Sequence, residues 1–166
     1  MQLYNGENME LPIVGIHGVF SVQRLVDFVK TAVALGCSTV VVSKAVGAAA
    51  QNGVPEAQKV VFKSGRNMLV VADLVDIKEL LNPDKLILIT TEKREDLPEI
   101  VFEEIIEMLK ENKNIVLVYS GTDTGFTRGE LELGEAYRIP LVEGAPLSPV
   151  AALAISIFEI KRLQQR

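Results

Sequence analysis

The run Ile139-Pro140-Leu141-Val142-Glu143-Gly144-Ala145-Pro146-Leu147-Ser148-Pro149-Val150-Ala151-Ala152-Leu153-Ala154-Ile155-Ser156-Ile157-Phe158-Glu159 reads as a short strand over 139–142, a Gly/Pro loop and a helix. Ser148 supplies the cap and Pro149 sits in the first turn, where no amide donor is needed and a preset φ helps. The loop therefore faces a helix N-terminus. From Val150 to Phe158 only Ser156 is polar, and a helix apolar nearly all round is buried on more than one side. In a chain of 166 residues, that points to a subunit contact as well as a core position.

Upstream, apolar β-rich segments alternate with helical periods. Strands are predicted over 11–16, 39–43, 67–72, 85–90 and 115–119, with helices over 21–35, 55–63, 75–81, 97–111 and 128–136 and the last helix over 149–163. Continuous apolar strands alternating with helices describe an α/β fold, a parallel sheet covered by helices on both faces. A single domain over 1–166 accounts for the length, with the polar start, 1–10, loosely held.

Hydrophobic residues make up 48% of the chain and mean hydropathy is +0.26, which fits strands buried on two sides and an oligomer. No apolar run reaches the ~20 residues needed to cross a bilayer, and the first residues lack the basic and apolar regions of a signal peptide. The chain therefore reads as cytoplasmic. One cysteine, Cys37, and one histidine, His17, leave no internal disulfide and no zinc-type cluster, so no metal site is assigned.

The net charge is −5, but it is unevenly spread. Lys44, Lys59, Lys63 and Arg66 face the single acid Glu56 over 44–66, whereas eight acids outnumber Lys93, Arg94 and Lys110 over 92–111. A polyanion such as RNA would meet the first segment and avoid the second.

Ligands of parallel α/β sheets bind beyond the carboxyl ends of the strands. Two loops qualify, Ser120-Gly121-Thr122-Asp123-Thr124-Gly125-Phe126-Thr127 and Glu143 to Ser148. Neither is a P-loop or a Gly-x-Gly-x-x-Gly turn. In order, the Gly-Thr-Asp loop, Arg138-Ile139-Pro140-Leu141, and the Gly144/Pro146/Ser148 loop leading into an Ala-rich helix resemble the C-terminal half of the SPOUT, or α/β-knot, methyltransferases. Phe28 to Gly36, followed by Val40-Val41-Val42, resembles that superfamily's Arg-Thr-Ala-x-x-x-Gly helix end. The nearest branch is that of the SpoU-like RNA methylases.

The resemblance implies a C-terminal trefoil knot and an S-adenosylmethionine-dependent RNA methyltransferase that forms a homodimer through its last helix. It implies cofactor contacts at Gly121, Ile139, Leu141, Gly144, Leu147 and Ser148, and RNA contacts at Lys44, Lys59, Lys63 and Arg66. The catalytic positions fall on Lys30, Asp123 and Arg24. Here the pattern departs from the family: Lys30 stands for its Arg, Asp123 for its Glu, Arg24 for an Asn, and no Asn occurs between Gly144 and Val150. The alternative is a non-catalytic protein on the same fold that binds S-adenosylmethionine or a nucleotide.

Methyl transfer needs a nucleophile in line with the methyl carbon and a group to take its proton. Lys30 fills that role if burial beside the cationic cofactor favours its neutral form; Arg24 is suited to clamping phosphate. Asp123 also fits a turn residue, His17 a strand-end donor and Cys37 a packed small hydrophobe. A nuclease would want acids clustered at strand ends to hold a metal, and Asp73, Asp76 and Asp84 are spread over different elements.

Overall fold

The computed structural model describes residues 10–166; the expected loose start therefore lies, but for Glu10, outside the described residues. Six strands, β1 Ile13–His17, β2 Thr39–Ser43, β3 Asn67–Val71, β4 Lys85–Thr90, β5 Ile115–Ser120 and β6 Glu135–Arg138, form one sheet in the order β3-β2-β1-β5-β4-β6. Every pairing is parallel, so all six carboxyl ends meet along one edge. The helices are α1 Val22–Ala34, α2 Val54–Lys63, α3 Leu74–Leu81, α4 Phe102–Lys110, α5 Arg128–Leu131 and α6 Pro149–Gln164, and a π-helical turn, Ala49–Gly53, leads into α2.

Strand side chains alternate between the faces. Ile87, Ile89, Leu117 and Tyr119 face the larger core, built with Phe28 and Val29 of α1, Val61 of α2, Ile105 of α4 and Leu153 and Ile157 of α6. Leu86, Leu88, Val116 and Val118 face a smaller core closed by Leu74 and Ile77 of α3 and by Phe126. Of the buried central strands, β5 is covered along its whole length. Among the described residues no helix is long and apolar enough to cross a membrane.

Three predicted elements differ. The helix expected over 128–136 is the four-residue α5, and the strand expected over 139–142 lies earlier, at Glu135–Arg138. Gly134 explains the shift: a Cβ there would stand 2.5 Å from the Leu86 carbonyl, so the chain closes on β4 at that point and becomes strand. Pro140 has no amide to donate, and Leu141 at φ 68° turns the chain away. The helix expected from 97 begins only at Phe102, because Pro98 and Ile100 bond both backbone groups of Arg138. That pairing overrides helical propensity over 97–101.

Candidate functional site

At the carboxyl edge of β1, β2 and β3, side chains from four elements converge. His17 ends β1 and is 3% exposed, with its ring stacked on Phe126 at 6.1 Å between centroids. Its Nδ1 pairs with the buried Ser43 Oγ at the end of β2, at 2.9 Å, and its Nε2 with Glu130 Oε2 of α5 at 2.6 Å. Asp73, the cap of α3 just beyond β3, completes the group. Ligand-type atoms of His17, Asp73 and Glu130 all lie within 4.8 Å of one another.

Local sequence sets each carboxylate. Thr127 and Glu130 form a reciprocal capping box: Glu130 Oε1 accepts from the Thr127 amide at 2.8 Å, which turns Oε2 to His17. Asp73 is held the same way, accepting from the Leu74 amide while Asp76 accepts from the Asp73 amide. Burial pushes the Glu130 carboxyl up, but the Thr127 amide, the His17 hydrogen bond and the charges of His17 and Lys44 outweigh it. Its pKa falls below the ordinary glutamate value. Glu130 is thus held ionised beside an imidazole.

The 2.6 Å Nε2 to Oε2 contact is a short hydrogen bond, and Ser43 at Nδ1 fixes the ring so that Nε2 is the nitrogen turned toward the two carboxylates. One imidazole nitrogen and carboxylate oxygens suit a divalent cation that accepts both.

The residues singled out from sequence fall elsewhere. Arg24 and Asp123 do meet: Arg24 donates to the Gly121 carbonyl at 2.8 Å and to Asp123 Oδ1 at 3.3 Å. Lys30 is exposed on α1 and is absent from the cavity of about 570 Å³ that Arg24, Asp27 and Thr31 line with Ser148. Gly121 is required by close approach, since a Cβ would stand 3.0 Å from both the Gly18 carbonyl and Val19. The Ile139 and Leu147 amides donate to the Thr90 and Thr91 carbonyls, and Ser148 caps α6. Leu141 is 90% exposed, and around Gly144 a Cβ would meet nothing. The group of His17, Asp73 and Glu130 is not visible in sequence spacing; the one usable signal is the strand-end position of His17 and Asp73.

Comparison with known proteins divides along the same line. Solved structures share the fold: a "Probable Methyltransferase" of Bordetella pertussis superposes with TM-score 0.72 over 96% of this chain and 99% of that one, at 16% identity. The SpoU methyltransferase AviRb of Streptomyces viridochromogenes, solved with AdoMet, gives TM-score 0.70 over 94% of this chain and 61% of that one, at 15% identity. At such identities the likeness establishes fold alone.

Sequence relatives point to other chemistry. A protein of Methanocaldococcus jannaschii named "Putative type II restriction enzyme" is 30% identical over 154 residues, 93% of this chain and 99% of the relative. One of Aeropyrum pernix bearing the same description is 34% identical over 147 residues, 89% of this chain and 90% of the relative. These relatives overturn the expectation of an S-adenosylmethionine-dependent RNA methyltransferase, and of its binding-only alternative. Its motifs report a shared backbone scaffold, and a scaffold hosts unrelated chemistries. With a family model matching over residues 47–159, the chain belongs to the family described as RecB-family nuclease (DUF2122).

Proposed function

We propose that this protein is a divalent-metal-dependent nuclease whose centre is formed by His17, Asp73 and Glu130. The observation that carries the reading is the convergence of their ligand atoms within 4.8 Å at the carboxyl edge of a parallel sheet, where such folds bind ligands. The family description and both sequence relatives support the same chemistry.

His17 Nε2 and the carboxylates of Asp73 and Glu130 are the residues that would hold the cation. When bound, a divalent cation supplies Lewis acidity toward a phosphate oxygen and a more acidic water. Ser43 orients the imidazole, and the Thr127 amide orients Glu130. Asp73 is exposed and opens the group to solvent, while Lys44, whose charge is felt at Glu130, offers a cation to an approaching phosphate. The 3% exposure of His17 keeps its ring from freely exchanging water.

The test is cleavage of labelled single-stranded and duplex DNA and of RNA with Mg²⁺ or Mn²⁺, against a chelator control. Metal-dependent cleavage by the native protein, lost in Asp73→Asn, supports the assignment. No cleavage of any of the substrates, or cleavage indifferent to Asp73, contradicts it.

The bonds from Arg138 to Pro98 and Ile100 on one side, and from Ile139 and Leu147 to Thr90 and Thr91 on the other, support a second proposal about the chain path. The 138–148 segment is threaded through the connection between β4 and α4, forming the knot. Exposed Ile155 and Phe158, one turn apart on α6, support a homodimer through that helix.

A further inference from the structure

We propose that the end of α2 and the start of β3 form a landing surface for single-stranded nucleic acid, with Phe62 as a base-stacking platform and Lys59, Lys63 and Arg66 as phosphate contacts. Phe62 is 86% exposed, whereas its neighbour Val61 is 4% exposed and fills the core contact of this turn. Successive helical residues point about 100° apart, so the ring is surplus to the fold's packing.

Its surroundings are what select a partner. Phe62 opens on a cavity of about 610 Å³ between α2 and β3, lined also by Lys59, Lys63, Arg66, Asn67 and Met68 and by no acidic side chain. None of the ion pairs among the described residues engages Lys59, Lys63 or Arg66. In a chain with 22 acids against 17 bases, three cations with no ion-pair partner among the described residues, set around one exposed ring, are complementary to a chain of phosphates carrying flat bases. A cationic or aliphatic peptide would find the ring but be repelled or left unpaired by the charges. Stacking on Phe needs a base free of its neighbours, which a single strand offers and a duplex does not.

As a binding surface this stands alone; as a substrate surface it rests on the nuclease reading. Seven residue steps, most of them in β3, separate Arg66 from Asp73, about 23 Å at ~3.3 Å each. A strand held at Arg66 needs about seven stacked nucleotides, at ~3.4 Å each, to reach Asp73.

The test is fluorescence anisotropy of labelled oligothymidylate and oligouridylate of about twenty nucleotides, measured in chelator so that nothing is cut. Phe62→Ala weakens binding of one or both about tenfold, Phe62→Leu does the same, and Phe62→Trp retains it. Lys59→Ala with Lys63→Ala flattens the slope of log affinity against log salt by about 1.4. Circular dichroism melting of each variant shows the fold intact, as the exposure of these side chains demands. Absence of binding to either oligomer at low salt, or native affinity in Phe62→Ala, overturns the surface. Native affinity in Phe62→Leu with loss in Phe62→Ala also overturns it, since that pattern belongs to apolar docking. If binding follows Phe62 but no metal supports cleavage, the nuclease reading fails and the surface stands. If cleavage occurs and binding ignores Phe62, the reverse holds.

Discussion

The two halves of the sheet's carboxyl edge are built from different materials. Beyond β4, β5 and β6 the loops direct their backbone donors at neighbouring backbone: Ile139 at the Thr90 carbonyl, Leu147 at that of Thr91, and Gly121 across to that of His17 at the end of β1. Beyond β1, β2 and β3 side chains converge instead, with His17, Ser43, Asp73 and Glu130 held by caps and a buried hydroxyl. The likeness to solved methyltransferases spans both halves and is a matter of chain path. The second carries side chains able to do acid–base and metal chemistry, and the proposed nuclease centre rests on it.

Substitutions distinguish the halves. The largest effect falls on the side-chain half: Glu130→Gln removes a ligand and lowers metal-dependent cleavage by ~100-fold, read as initial rate on a labelled single strand. The same substitution has a pH signature. The folded pKa of Glu130 is lowered, so its ionisation stabilises the fold above the ordinary glutamate range, and that contribution is lost as pH falls through the lowered value. The difference in Tm between native protein and Glu130→Gln therefore shrinks on acidification, and a constant difference would show that Glu130 is not held ionised by its neighbours.

The backbone half responds in stability. Gly121→Ala drives a Cβ to 3.0 Å from the Gly18 carbonyl and Val19, costing ~1–3 kcal/mol in denaturant unfolding. In the same half, Gly144→Ala meets nothing and changes stability by less than ~0.5 kcal/mol. Between these lies Ser43→Ala, which frees the His17 ring and weakens Mn²⁺ binding by ~10-fold, seen by calorimetry. The smallest effect is at Cys37, where burial pushes the thiol up to about 12, against lesser opposing charges of Lys161 and Arg66. It remains a protonated, unreactive thiol at pH 8, so iodoacetamide leaves the folded protein unlabelled.

Five of the six strands are legible in sequence because each holds a short run of β-branched and aliphatic residues, as in Val40-Val41-Val42 and Leu86-Ile87-Leu88-Ile89, whereas β6, Glu135–Arg138, has no such run and overlaps the expected helix. The order of the strands is not legible, nor are elements set by contacts distant in sequence. Pro98 to Val101 has a helix-like pattern yet pairs with Arg138, and the end of α5 depends on how closely Gly134 approaches Leu86. The site was hidden for the same reason. His17 and Glu130 are 113 residues apart, and Asp73 looks isolated until β3, β2 and β1 lie side by side. Arg24 and Asp123 are each named by the resemblance for a separate role, and only the structure shows them meeting. What the resemblance could not convey is the convergence of His17, Asp73 and Glu130 on the other half of the edge.

The most direct measurement is calorimetric titration of the native protein and Asp73→Asn with Mn²⁺. One site per chain is predicted in the native protein, with marked weakening in Asp73→Asn. Equal affinity in the two proteins, or no binding at all, would contradict it.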